Sequence, residues 1–119
     1  YEVPAVKMID GLAFRGKADI LKGDCIIDLK TTADISKFKY SAYKFSYDMQ
    51  AYIYLQMFPE AKTFKFIVID KSTMDIGIYE CSEEFLEYAK EKFERAIEIY
   101  NHFFIDDNSL EQHCIKEIL

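Results

Sequence analysis

The sequence has no apolar run long enough to span a membrane and no secretory pattern at its N-terminus. It also has few cysteines, and Cys25, Cys81 and Cys114 lie far apart and are odd in number. Their spacing excludes a disulfide framework and a zinc or iron–sulfur site, and it fits a reducing cytoplasm. The 119 residues, 50% of them hydrophobic, are therefore expected to form one compact domain over residues 1–119.

The chain also lacks the excess of positive charge that many DNA-binding proteins carry, because its formal net charge is −6. Residues 1–60 hold eight basic and eight acidic side chains, whereas residues 61–119 hold seven and thirteen. A divalent metal would make the first half locally positive. The net charge therefore does not exclude a nucleic-acid partner.

Hydrophobic periodicity predicts the order strand, strand, strand, helix, strand, strand, helix. The predicted strands are residues 3–14, with a turn or bulge at Gly11, and residues 17–22, 25–31, 62–70 and 75–81. The second and third strands flank Gly23 and Asp24, a pair typical of tight hairpins. We expect an α/β or α+β fold, with a β-meander, a helix, two further strands and a C-terminal helix around one mixed sheet.

Two amphipathic helices are predicted. The first begins after Thr32 or Asp34, either of which can cap it, and it forms one long helix or two short ones broken near residues 45–47. Its apolar stripe comprises Phe38, Ala42, Phe45, Met49 and Tyr52. The second begins after Ser82, and its stripe comprises Phe85, Tyr88 or Ala89, Phe93, Ala96 and Tyr100. Residues 106–119 are predicted to form a loop and a short terminal helix.

The hairpin places charged residues where a core is being built. A two-residue turn at residues 23–24 sets a register in which Asp19 lies opposite Asp28, with Cβ atoms about 4.5–5.5 Å apart. Like charges at that distance repel. Lys30 shares the face of Asp28 because strand side chains alternate, and the same register places Lys17 opposite Lys30. Such an arrangement is costly unless it binds something.

Two converging carboxylates and the backbone carbonyl of Leu29 are the hard oxygen ligands that Mg²⁺ prefers, and Mn²⁺ would also suit them. Lys30 would then position water or stabilise charge during hydrolysis of a phosphate ester. Lys17 would be a weaker phosphate contact. The alternative is that Asp19, Asp28 and Lys30 form a structural ion pair at the rim of the sheet. The triad by itself leaves both interpretations open.

The spacing of Asp19 from the DLK segment at residues 28–30 resembles the D…(D/E)xK core of the PD-(D/E)xK nuclease superfamily. Gly16 in RGKAD resembles the GxxD form of its RecB-like branch, and Gln50 with Tyr54 resembles the QxxxY helix motif of that branch. The stretch DLKTTADISKFKYSAYKFSYDMQAYIY is similar to the nuclease domain of the RecE-type exonuclease (exonuclease VIII). The resemblance covers most of the chain.

The resemblance implies a restriction-endonuclease-like fold and a Mg²⁺-dependent deoxyribonuclease that degrades linear double-stranded DNA from 5′ to 3′. It further implies phage-type recombination in the cytoplasm of a bacterial host, with DNA ends and a single-strand annealing protein as partners and a homo-oligomeric full-length protein. Carried over by position, Asp19, Asp28 and the Leu29 carbonyl would hold the metal. Lys30 would be the catalytic lysine, acting with the two aspartates.

The family motifs and the basic helix also suggest substrate contacts. The residues expected to bind DNA are Gln50, Tyr54, Lys17, Thr31, Lys37 and Lys39. Gln50 and Tyr54 are four residues apart, so they share one helix face and both can reach the metal site or the DNA strand. Lys37 and Lys39 alternate with aromatic residues and could hold the DNA backbone. The alternative is an amphipathic helix with its lysines in water and its aromatics in the core.

One feature of the family pattern is missing from the sequence. The family usually adds a His or Glu from a helix upstream of the first strand, and this chain begins at Tyr1, so we expect a fragment that lacks that helix. His102 and His113 are expected to be helix-end or solvent histidines. Two other functions therefore stay open: an endonuclease or repair-helicase nuclease of the same fold, and a non-catalytic DNA-binding module.

Overall fold

The computed structural model describes residues 3–105, in which strands and helices are mixed as the sequence predicts. The strands are β1 (Val3–Ile9), β2 (Leu12–Ala18), β3 (Ile20–Lys22), β4 (Cys25–Thr32), β5 (Thr63–Asp70) and β6 (Ile76–Glu80). The helices are α1 (Phe38–Lys44), α2 (Tyr47–Met57) and α3 (Glu83–Tyr100), with a 3₁₀ turn at Ile35–Lys37 and a π-helical turn at Asn101–Ile105. The terminal helix predicted over residues 106–119 lies outside the described residues.

The first predicted strand is a hairpin of two strands. β1 pairs antiparallel with β2, and the turn between them holds Asp10 and Gly11 at φ angles of 49° and 81°. Positive φ at both central residues is the requirement of a tight hairpin turn, which Gly meets without steric cost. The turn predicted at Gly11 is therefore confirmed, and it divides residues 3–14 into two strands.

The remaining strands form a four-stranded sheet in the order β3-β4-β5-β6. β3 and β4 are an antiparallel hairpin, β4 and β5 run parallel, and β6 returns antiparallel to β5. A parallel pair needs a crossover connection, and here α1 and α2 supply it. The mixed α+β class expected from the sequence is confirmed.

The predicted run over residues 17–22 is wrong in one respect. β2 ends at Ala18 and β3 begins at Ile20, so a bend at Asp19 takes the chain from one sheet to the other. Lys17 pairs with Pro4 in the first sheet and does not lie opposite Lys30. The hairpin register holds only as far as Ile20, because β2 already has β1 as its partner.

The core lies between the inner face of the four-stranded sheet and the helices. Phe64, Phe66 and Val68 of β5 are buried there, and Phe38 of α1 packs on Phe66 with ring centroids 6.0 Å apart. The alternate residues of β5 are less buried, so this strand packs mainly through one face. Across the outer face, Ile78 of β6 is 67% exposed.

The crossover is two helices, as one of the sequence alternatives predicts. Ser46 separates α1 from α2 in the left-handed region at φ 56°, and this break leaves Phe45 exposed, although the periodicity places Phe45 in the apolar stripe. Ser82 caps α3 by accepting a hydrogen bond from the Phe85 N–H at 3.1 Å. Within residues 3–105, no helix is both long and apolar enough to cross a membrane.

The apolar stripe of α3 is shorter than predicted. Ala89 and Phe93 are buried, whereas Tyr88, Ala96 and Tyr100 are exposed. The helix packs against α2 along its first half and middle, where Phe93 meets the Tyr52 ring at 5.4 Å. Towards its end the residues at the same spacing are exposed, so periodicity overestimates burial there.

Candidate active site

The β3–β4 hairpin brings Asp19 and Asp28 together. Its register pairs Ile20 with Ile27 and continues to the turn, as predicted, and Asp19 is the residue directly before this ladder. The backbone N–H of Leu29 donates a hydrogen bond to Asp19 Oδ2 at 3.0 Å. This bond fixes the Asp19 carboxylate beside that of Asp28, although Asp19 itself lies in the bend.

Lys30 completes the predicted triad. Its Nζ lies 3.1 Å from Asp28 Oδ2, and the Asp28 residue is only 5% exposed. The two side chains share the inner face of β4 because they are two residues apart on a strand. Among the residues described, Asp28 Oδ2 accepts no well-aligned hydrogen bond, so its contact with Lys30 is an ion pair alone.

Gln50 of α2 bridges Asp28 and Lys30 of β4. Lys30 Nζ donates a hydrogen bond to Gln50 Oε1 at 3.0 Å, and Gln50 Nε2 donates to Asp28 Oδ1 at 3.2 Å. The amide therefore satisfies the cation and the anion at once, which its one acceptor and two donors allow. Gln50, predicted from the motif to bind substrate, is an integral part of the charged cluster.

The environment of Asp28 opposes its charge. Burial raises the pKa of the Asp28 carboxyl above its ordinary value of 3.8. The close contact with the Lys30 ammonium acts in the opposite direction, and the neighbouring Asp19 carboxylate raises the pKa further. The two carboxylates lie beside each other and one ammonium pairs with Asp28, so the cluster favours an additional positive charge.

Tyr54, the other residue of the QxxxY motif, packs against Gly16 of the GxxD motif. A Cβ added at Gly16 would lie 3.1–3.2 Å from three atoms of the Tyr54 side chain, so the absence of a side chain at Gly16 lets the ring approach β2. Tyr54 also packs on Phe64 and Phe58, with ring centroids 6.3 and 6.4 Å away. The two motifs therefore contact each other directly.

The remaining predicted substrate contacts stand apart from this cluster. Thr31 is exposed and points to the opposite face of β4 from Lys30. Lys17 is exposed on β2, and Lys37 and Lys39 are exposed on the 3₁₀ turn and on α1. Their use by DNA stays a prediction.

The family model described as "PDDEXK-like domain of unknown function (DUF3799)" matches residues 2–114. The chain belongs to this family. No curated protein matches the sequence. The PDDEXK-like assignment agrees with the motifs that carry Asp19, Asp28 and Lys30.

Solved structures resemble the chain in fold. A crystal structure of a protein named "Putative exonuclease" from Eubacterium rectale superposes with a TM-score of 0.75 at 17% identity, covering 98% of this chain and 53% of that one. The structure of SSO0001 aligns with 78% of this chain and 47% of its own length at 22% identity, with a TM-score of 0.46. The chain thus spans about half the length of these proteins.

The donor set of this PDDEXK-like domain fits a hard divalent cation. Asp19 and Asp28 offer carboxylate oxygens side by side, which are the hard ligands that such a cation prefers. The buried Oδ2 of Asp28, which lacks an aligned donor in the described chain, is the oxygen best suited to a metal ion. Between residues 3 and 105, no third His, Cys, Asp or Glu joins them as a ligand.

Sequence reasoning missed two residues of α2 that shape the site. The centroid of the Tyr47 ring lies 4.3 Å from Lys30 Nζ, with the ammonium over the ring. Asp48 is fully buried and paired with Lys92 of α3. Its position three and four residues before the apolar Ala51 and Tyr52 was the available signal, because this spacing places Asp48 on a buried face of the helix.

Proposed function

We propose that this PDDEXK-like domain is a divalent-metal-dependent deoxyribonuclease, and specifically an exonuclease that degrades linear double-stranded DNA from 5′ to 3′. The observation that carries the proposal is the cluster in which Asp19 of the bend, Asp28 and Lys30 of β4, and Gln50 of α2 converge. The family match and the fold shared with the Eubacterium rectale protein support a nuclease. Polarity, Mg²⁺ as the metal and a role in phage-type recombination come from the RecE-like motifs.

The residues have separate roles in this proposal. Asp19, Asp28 and the Leu29 carbonyl would hold Mg²⁺ or Mn²⁺, which supplies Lewis-acid stabilisation of charge on the phosphate oxygens. The Lys30 ammonium would face the scissile phosphate and stabilise charge that develops there. Gln50 holds Lys30 through its Oε1, and the Tyr47 ring lies below the ammonium, so that Lys30 is oriented before substrate arrives.

The DNA-binding surface proposed with this site comprises α1 and the 3₁₀ turn that precedes it. Lys37 and Lys39 would contact the backbone, with Thr31 and Lys17 as outlying phosphate contacts, and Tyr40 of α1 is 72% exposed and available for base stacking. We also propose DNA ends, an annealing protein and further copies of the chain as partners of the full-length protein in a bacterial cytoplasm.

The test uses the full-length protein with linear duplex labelled separately at its 5′ and 3′ ends. We expect Mg²⁺-dependent release of the 5′ label first, and complete loss of release in Asp28→Ala. Asp24→Ala is the matched control, because Asp24 lies in the turn of the same hairpin and is exposed. Activity retained in Asp28→Ala would refute the assignment of the site.

The same assay separates the competing functions. Cleavage of closed circular DNA would indicate an endonuclease, and release of the 3′ label first would reverse the polarity. Binding of DNA without cleavage at any metal concentration would favour a non-catalytic module. In that case titration calorimetry should show no saturable Mg²⁺ binding that depends on Asp19.

A further inference from the structure

A second lysine-paired aspartate lies on α2, away from the active-site cluster. Asp48 is fully buried, with 0% exposure. Lys92 of α3 donates a hydrogen bond to Asp48 Oδ1 at 3.0 Å, and its Nζ is 2.9 Å from Oδ2. The same ammonium lies 4.9 Å from the centroid of the Tyr88 ring. The buried carboxylate thus accepts one hydrogen bond from Lys92 at Oδ1, and its Oδ2 lies within ion-pair distance of the same ammonium.

Asp48 and Gln50 point in nearly opposite directions from the same helix. A residue advances about 100° around an α-helix, so two residues bring a rotation of about 200°. Gln50 therefore reaches Lys30 and Asp28 on the sheet, while Asp48 reaches α3 on the other side. α2 is held by polar contacts at two opposed points within its first turn.

The helix needs such an anchor at this end. Ser46 adopts a left-handed conformation directly before α2, and its side chain accepts no capping hydrogen bond from the first turn of the helix. α2 is therefore not continuous with α1, whose orientation cannot fix the rotation of α2. Apolar contacts around Ala51 and Met57 are non-directional, so they hold α2 in place without setting its rotation sharply.

A buried ion pair is a costly way to join two helices. Apolar residues of similar volume often give equal or greater stability, so stability alone does not account for the pair. The hydrogen bond from Lys92 to Asp48 Oδ1 is directional, however, so it constrains the rotation of α2 in a way that apolar contacts do not. The Asp48 charge also bears on its surroundings, because together with burial it raises the pKa of the Cys81 thiol to about 12.

We propose that Asp48 and Lys92 are positioning residues for the active site. Their ion pair fixes the rotation of α2, so that Gln50 bridges Asp28 and Lys30 and Tyr47 lies below the ammonium. The consequence for DNA cleavage rests on the proposed function. The alignment of Gln50 does not, and it can be measured without any activity.

The decisive measurement is the NMR signal of the Gln50 side-chain amide, assigned by its loss in Gln50→Met. The test variant is Asp48→Leu/Lys92→Met, which replaces the ion pair by apolar residues that can still pack. We expect the Gln50 amide protons to move to the positions of free glutamine while circular dichroism and methyl dispersion stay unchanged. Unchanged Gln50 signals in the folded variant would overturn the proposal.

Two further variants keep the test decisive. Lys65→Met/Glu80→Gln removes the exposed pair between β5 and β6, whose atoms are 3.4 Å apart, and should leave the Gln50 signals in place. If the apolar double variant does not fold, Asp48→Asn decides by the same signals, because it keeps the shape and loses the charge and one acceptor. Gln50 signals that stay in place in Asp48→Asn would then overturn the proposal.

Kinetics give a second readout. Rates normalised to the folded fraction should show kcat lowered about 10- to 100-fold with KM for duplex DNA unchanged, because a displaced group misaligns chemistry more than binding. A merely structural role would leave the normalised kcat at the wild-type value. A wild-type protein without cleavage would end the proposed function, and the Gln50 signals would still decide the positioning role.

Discussion

Two buried aspartates in this domain each pair with a lysine, and the two regions differ in what else approaches. Asp28 and Lys30 are two residues apart on one strand, with 3.1 Å between Oδ2 and Nζ. Asp48 and Lys92 come from two helices and are 44 residues apart in sequence, with 2.9 Å between Oδ2 and Nζ. By distance and burial alone the pairs are nearly equivalent.

The charge balance separates them. Lys92 serves Asp48 through both carboxylate oxygens. Lys30 is shared between Asp28 and Gln50, and Asp28 also faces the Asp19 carboxylate, which raises its pKa. An excess of anion that the chain does not neutralise is typical of a ligand site, whereas a one-to-one pair is typical of a structural contact. The groups that surround each ion pair, more than the ion pair itself, therefore indicate which aspartate belongs to a ligand site.

The largest expected effect is on the first pair. Lys30→Met should lower metal-dependent DNA cleavage about 100- to 1000-fold, because a preorganised charge at the phosphate is lost. Cleavage of labelled linear duplex by the full-length protein measures the effect. Lys22→Met, an exposed lysine on the same hairpin, is the control. If both variants cleaved at the same rate, Lys30 would be no more than a structural partner of Asp28.

The second pair should control stability. Lys92→Met leaves the buried Asp48 carboxylate without its cation, which costs about 3 kcal/mol in the free energy of unfolding. Lys65→Met at the exposed pair with Glu80 should cost less than about 1 kcal/mol. Urea unfolding of the two variants checks the difference. Equal losses in the free energy of unfolding would mean that the buried pair of Asp48 and Lys92 stabilises the fold no more than the exposed pair does.

The third prediction concerns the Asp19 carboxylate, which repels that of Asp28. Asp19→Asn keeps an oxygen that can accept the Leu29 N–H and removes the repulsion of Asp28. With EDTA present, the free energy of unfolding should rise by up to about 1 kcal/mol. The stabilisation by added Mg²⁺ or Mn²⁺ should fall at the same time. Urea unfolding in the two conditions tests this, with Asp24→Asn as control, and a loss of stability in EDTA would contradict it.

The smallest effect is at a third buried aspartate, which uses backbone donors. Asp70 accepts hydrogen bonds from the N–H groups of Ile35, Ser72 and Thr73 at 2.9, 2.8 and 3.1 Å. These bonds lower the pKa of Asp70 below its ordinary value of 3.8. Since the folded pKa is the lower one, the contribution to stability is present above the unfolded pKa and is lost as pH falls through the folded pKa.

Asp70→Asn should therefore flatten the acid limb of the stability profile. Urea unfolding from neutral pH downwards should show a smaller loss of stability below the ordinary aspartate range than in the wild type. Asp24→Asn, which alters an exposed turn residue, should follow the wild-type profile. A variant profile parallel to the wild type in acid would show that the three N–H groups do not depend on the charge.

Much of the site could be predicted because the part formed by the β3–β4 hairpin involves residues close together in sequence. The turn at Gly23 and Asp24 fixes the register of β3 and β4, so the approach of Asp19 to Asp28 is decided within ten residues. The cap at Ser82 and the helix break near Ser46 are also local features. The position of Lys17 could not be predicted, because the choice of β1 as partner for β2 depends on pairing that the hairpin itself does not determine.

The sequence by itself determined the short-range geometry: the turn residues, the alternation that places Lys30 beside Asp28, and the spacing that identifies the family. Only the tertiary structure decided that Gln50 bridges that pair, that Gly16 admits Tyr54, and that Asp48 meets Lys92. The physical reason is that turns and periodicity act between near neighbours along the chain. Contacts between separate elements depend instead on how the whole core packs.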